Sequence, residues 1–175
     1  MKKLFIGLSF LTLMSFSLFN DSSSREIINS CDKENSKEKC KKALVPYRYS
    51  SMKVTDITFR GYNQIKEVTI PLFFDSKYRF VFNTEGLPHD IIIEIYDKHS
   101  TERKKKDEPL FTANSSQKQF NYEPEDGFAL TNIYVNYLIP AAESNGDVEK
   151  GCVVLMSGFE NELSFQSLDG GDETN

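Results

Sequence analysis

Tryptophan is absent from these 175 residues, histidine occurs twice and cysteine three times. Each shortage closes off a chemistry. A serine triad needs a histidine base, yet His89 and His99 both fall in expected loops. No Gly-x-Ser-x-Gly elbow accompanies them, Ser157-Gly158 being only a fragment of one. Cysteines at 31, 40 and 152, with two histidines ten residues apart, make neither a C-x-x-C nor an H-E-x-x-H spacing, so no zinc site is expected. Asp126-Gly127, Asn145-Gly146-Asp147 and Asp169-Gly170-Gly171-Asp172 offer hard oxygen ligands for calcium, but none has EF-hand spacing. Glycine beside Asp or Asn is first a turn signal, and the expectation is no metal and no cofactor. Positive charge is short as well. The chain carries −5, and without residues 1–20, which hold Lys2 and Lys3 but no acid, 19 basic residues face 26 acidic ones, or −7. A generic nucleic-acid binder needs the opposite sign, so no nucleic-acid partner is expected.

Long apolar runs are missing beyond the first 20 residues. Lys2 and Lys3 precede Leu4 to Phe16, with Leu18 and Phe19 beyond, and the polar Asn20-Asp21-Ser22-Ser23-Ser24 follows. A charged start, a short apolar stretch and a polar flank have the form of a signal peptide, since a stable span needs about 20 apolar residues. Residues 1–20 are therefore read as removed on export, to the periplasm, the cell surface or the medium, with no transmembrane segment afterwards. Ile28-Asn29-Ser30-Cys31 faintly resembles a lipobox, but Asp21, Arg25 and Glu26 separate it from the apolar run that a lipobox closes directly. Export makes one disulfide expected from three cysteines. The pairing backed is Cys40 with Cys152, which would tie the start of the strand region to its last strand; Cys31 with Cys40 is the rival.

What is present is aromatic and alternating. Phe (14) and Tyr (8) favour strands. Residues 21–45 read as a polar linker and one short helix, N-capped by Ser36, running to Leu44 and stopped by Pro46, with little to bury. From 46 to 168 the period is two. Val68, Ile70, Leu72 and Phe74 share a face in a strand that Pro71 places near an edge; Asp75-Ser76 then turns into Tyr78, Phe80 and Phe82, so 66–83 reads as a hairpin. Ile91 to Tyr96 is apolar on both faces apart from Glu94, as in a central covered strand. Asp97 to Pro109 is a charged loop. Leu110–Ala113 and Phe120–Tyr122 are short strands around the polar turn 114–118. Thr131, Ile133, Val135, Tyr137 and Ile139 give the cleanest alternation, and Cys152–Met156 is the last firm strand, with Leu163, Phe165 and Leu168 adding a short piece before an acidic tail, 169–175. With a weaker strand over Val54–Phe59, seven or eight strands and no βαβ rhythm make an all-β antiparallel sandwich; a closed barrel is the alternative.

The succession YRFVFN, a turn with Gly and Pro, IIIEIYDK, a polar loop, LFTA, another loop and TNIYVNYLIP, over roughly residues 66–140, resembles the jelly-roll modules appended to secreted bacterial peptidases, the pre-peptidase C-terminal domains. That resemblance implies a non-catalytic accessory module.

Three features remain as candidate sites. Glu94 amid isoleucines is costly unless it faces outward or pairs, for instance with Arg79. Arg103-Lys104-Lys105-Lys106 is flanked by Glu102, Asp107 and Glu108, which offset its field; anionic glycan or a membrane surface suits it better than DNA. Tyr47, Tyr49 and Tyr134 have the aromatic faces that stack on sugars. The expectation is a non-enzymatic exported sandwich that binds an envelope protein or glycan through its surface, the alternative being a carrier of small apolar ligands with a barrel cavity.

Overall fold

The computed structural model describes residues 27–29, 31–73, 76–124, 130–142 and 148–160, the first three by backbone alone. The signal segment 1–20, the calcium-like loops, the short piece at 163–168 and the acidic tail lie outside them. In chain order the elements are β1 (Ile27–Asn29), α1 (Lys33–Leu44), β2 (Arg48–Thr58), β3 (Gln64–Pro71), β4 (Lys77–Asn83) and β5 (Ile92–Tyr96). Then come β6 (Phe111–Asn114), a 3-10 turn at Ser115–Gln117, β7 (Gln119–Tyr122), β8 (Asn132–Ile139) and β9 (Val148–Glu160). One sheet has the order β2-β9-β4-β7, with β1 added parallel to the start of β9; the other has the order β3-β8-β5-β6. The pairs within both are otherwise antiparallel. Two facing four-stranded sheets interleaved this way are a jelly-roll sandwich; the alternation predicts the sandwich, and the family resemblance the jelly-roll order.

The core lies where the inner faces meet. Tyr78, Phe80 and Phe82 of β4 and Ile133, Val135 and Tyr137 of β8 are at most 1% exposed. Val153 and Leu155 of β9 and Ile93 and Ile95 of β5 complete the layer. No strand pairs across from one sheet to the other among the described residues, so the fold is open at its flanks rather than closed into a barrel. The Phe and Tyr side chains that a carrier would need around a cavity pack against each other instead, Tyr78 on Phe80 at 5.6 Å and Phe82 on Phe120 at 5.0 Å between ring centroids. The barrel-carrier alternative is thereby overturned.

Several local expectations change. Residues 66–83 are not a hairpin: β3 pairs with β8 and β4 with β7 and β9, so the connection crosses from one sheet to the other. Period two fixes which side chains face inward but not which strand lies alongside. β3 is an edge strand, as Pro71 implies. The outer face of β5 is covered only in part: Ile92 is 42% exposed, while Glu94 and Tyr96 are half-buried beside the loop that follows. The helix begins a turn earlier than expected, because Asp32 rather than Ser36 caps it, accepting from Asn35 N at 3.1 Å. Ser36 instead is buried with Cys40 and Leu44, a stripe at spacings of four that packs on Val81, Val154 and Met156, the outer face of the first sheet.

Cys152 pairs with Cys31, at a Cα separation of 5.4 Å, and not with Cys40, which is free and buried under the helix. Cys40 faces the outer side of β9 through Val154, as the helix stripe dictates, while Cys152 meets the chain that precedes the helix. Cys31–Cys40 does not form either. The turn beneath the disulfide is tight: Cys152 N donates to Gly86 O at 2.9 Å, and a Cβ on Gly151 would overlap that oxygen.

The flank where β2 and β3 run side by side is closed by side chains. Gln64 Nε2 donates to Thr58 O at 3.1 Å and Lys66 Nζ to Asp56 O at 2.8 Å. A charged lysine and satisfied carbonyls make this edge a poor template for another strand.

Candidate functional site

The outer face of the β3-β8-β5-β6 sheet carries side chains of two kinds, set in rows by the register. One row is Ile65, Leu138, Ile92 and Asn114, each opposite the next. The second is Glu67, Asn136, Glu94 and Thr112, and the third Thr69, Tyr134 and Tyr96. The loop 97–110 leaves β5 at Tyr96 and folds back over Glu67, Asn136, Tyr96 and Tyr134 of the second and third rows, while the first row stays open.

Glu67 is what the loop closes on. Its Oε1 accepts from Ser100 N (3.2 Å), Ser100 Oγ (3.0 Å) and His99 Nε2 (3.1 Å), and its Oε2 from Arg103 Nη2. With its amide turned to suit both neighbours, Asn136 donates to Glu67 Oε2 (2.8 Å) and accepts from Arg103 Nη1 and Nη2 (3.0 Å each). The Arg103 guanidinium lies 3.8 Å from the Tyr96 ring centroid, and the Tyr96 hydroxyl donates to Glu94 Oε2 at 2.9 Å. Burial first, then that bond, holds the Tyr96 phenol above its ordinary range. Thr101 N donates to His99 Nδ1 at 3.2 Å, which leaves Nε2 as the protonated nitrogen facing Glu67, while the ring meets Tyr134 edge-on. The Glu67 and Arg103 side chains are 14% and 12% exposed. Glu67 is thus the group that holds the loop against the sheet.

Beside the latch the first row forms the floor of an open groove of about 450 Å³, with Ile65, Ile92 and Leu138 below and Asn63, Asn114 and Pro140 at the rim. Ile65 is 70% exposed. The rim amides are neutral, and the nearby Asp90 is matched by Lys118 at 3.4 Å.

The residues singled out in the sequence are dispersed. Tyr47 and Tyr49 belong to the first sheet's side of the molecule and Tyr134 to the outer face of the second, so the three do not form one surface. Tyr47 is pinned, its hydroxyl donating to Glu123 (2.9 Å) and its ring lying 4.5 Å from the Arg79 guanidinium. Arg79 donates to Glu123 and to the carbonyls of Ala43 and Val45, so among the described residues it pairs with none of the second sheet and the Glu94–Arg79 pair does not form. Glu94 faces outward, the other expectation. Both histidines are in loops and partly exposed, at 45% and 44%, and each meets a carboxylate, His89 that of Glu149 and His99 that of Glu67. Ser157 is buried and hydrogen-bonded to Ser51 at 2.8 Å. No group of three or more His, Cys, Asp or Glu fit for a metal ion occurs among the described residues. Nor is any helix among them long and apolar enough to cross a membrane.

No family model matches the chain, and no curated protein does. Neither comparison supports a specific relation to pre-peptidase C-terminal modules. Among solved structures, this chain is similar to PliG of Aeromonas hydrophila, a periplasmic lysozyme inhibitor of g-type lysozyme. The match has 11% identity and a TM-score of 0.39, covering 62% of this chain and 86% of that one.

Proposed function

We propose that this is an exported, non-catalytic binding module and that the groove over Ile65, Leu138 and Ile92 takes an apolar segment of a protein partner. The observation that carries the reading is the pair of isoleucines turned to solvent in one row of an otherwise polar face, Ile65 at 70% and Ile92 at 42% exposed. Aliphatic side chains with a neutral amide rim suit leucine-like or aromatic anchors. A sugar ring would call for aromatic platforms, and Tyr134 is already against His99. Non-catalytic action is supported by how the titratable side chains of this face are spent: Glu67 on Arg103, Ser100 and His99, and Glu94 on Tyr96. Export is supported by the Cys31–Cys152 disulfide, a bond of oxidising compartments, together with the form of residues 1–20. The same bond speaks against lipidation at Cys31, because its sulfur is already in use.

The test is capture from an envelope extract by wild type and by Ile65→Asp and Ile92→Asp, followed by affinity measurement on the purified pair. Fully burying an isoleucine contributes about 1.5–3 kcal/mol, so either variant is expected to weaken binding by about tenfold or more. A g-type lysozyme is included as a trial partner. A captured protein whose affinity ignores both substitutions, or an oligosaccharide that binds where no protein does, overturns the reading.

A further inference from the structure

We propose that the turn Lys104–Asp107 is a second binding site, independent of the groove, and that it takes an anionic polymer carrying repeated phosphate or carboxylate groups. In the sequence this basic run looks neutralised by its neighbours. The structure redistributes those charges. Asp107 turns inward, its carboxylate accepting from Lys104 N (3.0 Å) and pairing with Lys98 (3.4 Å), while Lys104 O accepts from Asp107 N (3.0 Å). Those bonds hold the Asp107 carboxyl below its ordinary range, the Lys104 N–H contributing most. Arg103 is spent on Glu67. What the loop turns outward is Lys104, Lys105 and Lys106, all exposed and none in a salt bridge among the described residues, against the two exposed acids Glu102 and Glu108 at its sides, with Lys105 and Lys106 at the corner of the turn.

Flexible charged tips lose entropy when they bind; this one is already fixed. The loop is stacked on Tyr96 and latched to Glu67 and Asn136 by partly buried hydrogen bonds. An exposed turn with no apolar face to bury gains little by such ordering except a constant presentation of its ammonium groups. Lysines are hydrated point charges, suited to a run of anions rather than to one bidentate ligand. The negative net charge, −5 for the whole sequence and −7 without residues 1–20, makes the attraction local and keeps it weak for each ligand charge, so a polymer that offers many charges is favoured over a small anion.

The experiment measures binding of full-length protein to fluorescent polyphosphate and to polygalacturonate at two salt concentrations. Lys104→Ala/Lys105→Ala/Lys106→Ala is compared with wild type, and Ile65→Asp serves as a groove control. Wild type is expected to bind at low salt and to lose affinity as salt rises, the triple variant to bind at least tenfold more weakly, and Ile65→Asp to bind as wild type does. Glu67→Gln separates presentation from charge. It makes the protein more positive, so charge alone would strengthen binding, whereas a loosened latch weakens it. The proposal is overturned if the triple variant binds like wild type, if neither polymer binds at low salt, if anionic vesicles are bound in preference to both polymers, or if Glu67→Gln leaves binding unchanged or stronger.

Discussion

Cys40 sits on the buried stripe of α1, fully covered, with its sulfur 4.0 Å from Val154 O. Burial, with the Glu85 charge adding to it, pushes its thiol up to about 11. Thiolate is the reactive form, so this cysteine stays protonated and inert at pH 8. A thiol reagent is expected to titrate no cysteine in the native protein and one in denaturant without reductant; a native reaction at the rate of a free thiol contradicts the burial. The sign of the linkage follows. Because the folded value lies above the ordinary 9.0, the stabilising contribution is intact below pH 9 and is lost as pH rises towards about 11. The inward Phe, Tyr and Ile side chains were legible because alternation marks them. Tyr47, Tyr49 and Tyr134 were chosen for their chemistry, and nothing in their spacing told that Tyr47 holds Glu123 and Arg79 while Tyr134 lies across the sandwich. Ile65, Leu138 and Ile92 were missed for a related reason: each is one apolar residue at an outward position, and they become a groove only once β3, β8 and β5 are known to be neighbours.

At the scale of elements, local pattern and distant pairing separate cleanly. β6, β7 and β8 lie where alternation puts them, because each strand's two faces are written within a few residues. The partners are not written there. β4 lies between β7 and β9, and a turn signal after β3 cannot reveal that the chain crosses to the opposite sheet instead of folding back. α1 is only weakly marked in the sequence, because Ser36, Cys40 and Leu44 include one serine and leave little apolar signal among so many charges. The loop 97–110 read as solvated, yet its order depends on a pair that the register alone brings together, Glu67 and Asn136. Arg103→Ala removes the cation from a carboxylate that is 14% exposed. The expected cost is about 2 kcal/mol, from a partly buried charge left short of a partner. Hydrogen exchange should rise across 97–110 and stay unchanged in β4 and β9. Exchange that rises uniformly, or not at all, would remove the latch from the account and with it the fixed presentation of the lysine turn.

For the whole molecule the decisive link is covalent. Cys31 precedes α1 and Cys152 lies in β9, the strand that β2, β4 and β1 all join, so the bridge ties the entry of the domain to its most connected element. With a sequence separation of 121, closing this loop stabilises the fold by about 4–5 kcal/mol in the chain-entropy model. Cys40–Cys152 would have spanned nearly as much chain, which is why loop length in the sequence does not choose between them; the choice is made by the helix, whose packing turns Cys40 towards Val154. Urea unfolding of a Cys40→Ala protein, with and without reductant, isolates the bond, since no third thiol remains for exchange. Reductant is expected to lower the midpoint by an amount equivalent to about 4 kcal/mol. Cys31→Ser/Cys40→Ala should match the reduced protein and ignore reductant. The single Cys31→Ser variant tests the Cys40–Cys152 pairing directly: with α1 packed as it is, Cys40 and Cys152 remain two thiols, and a disulfide found between them by peptide mapping would mean that the helix does not hold Cys40 under its stripe.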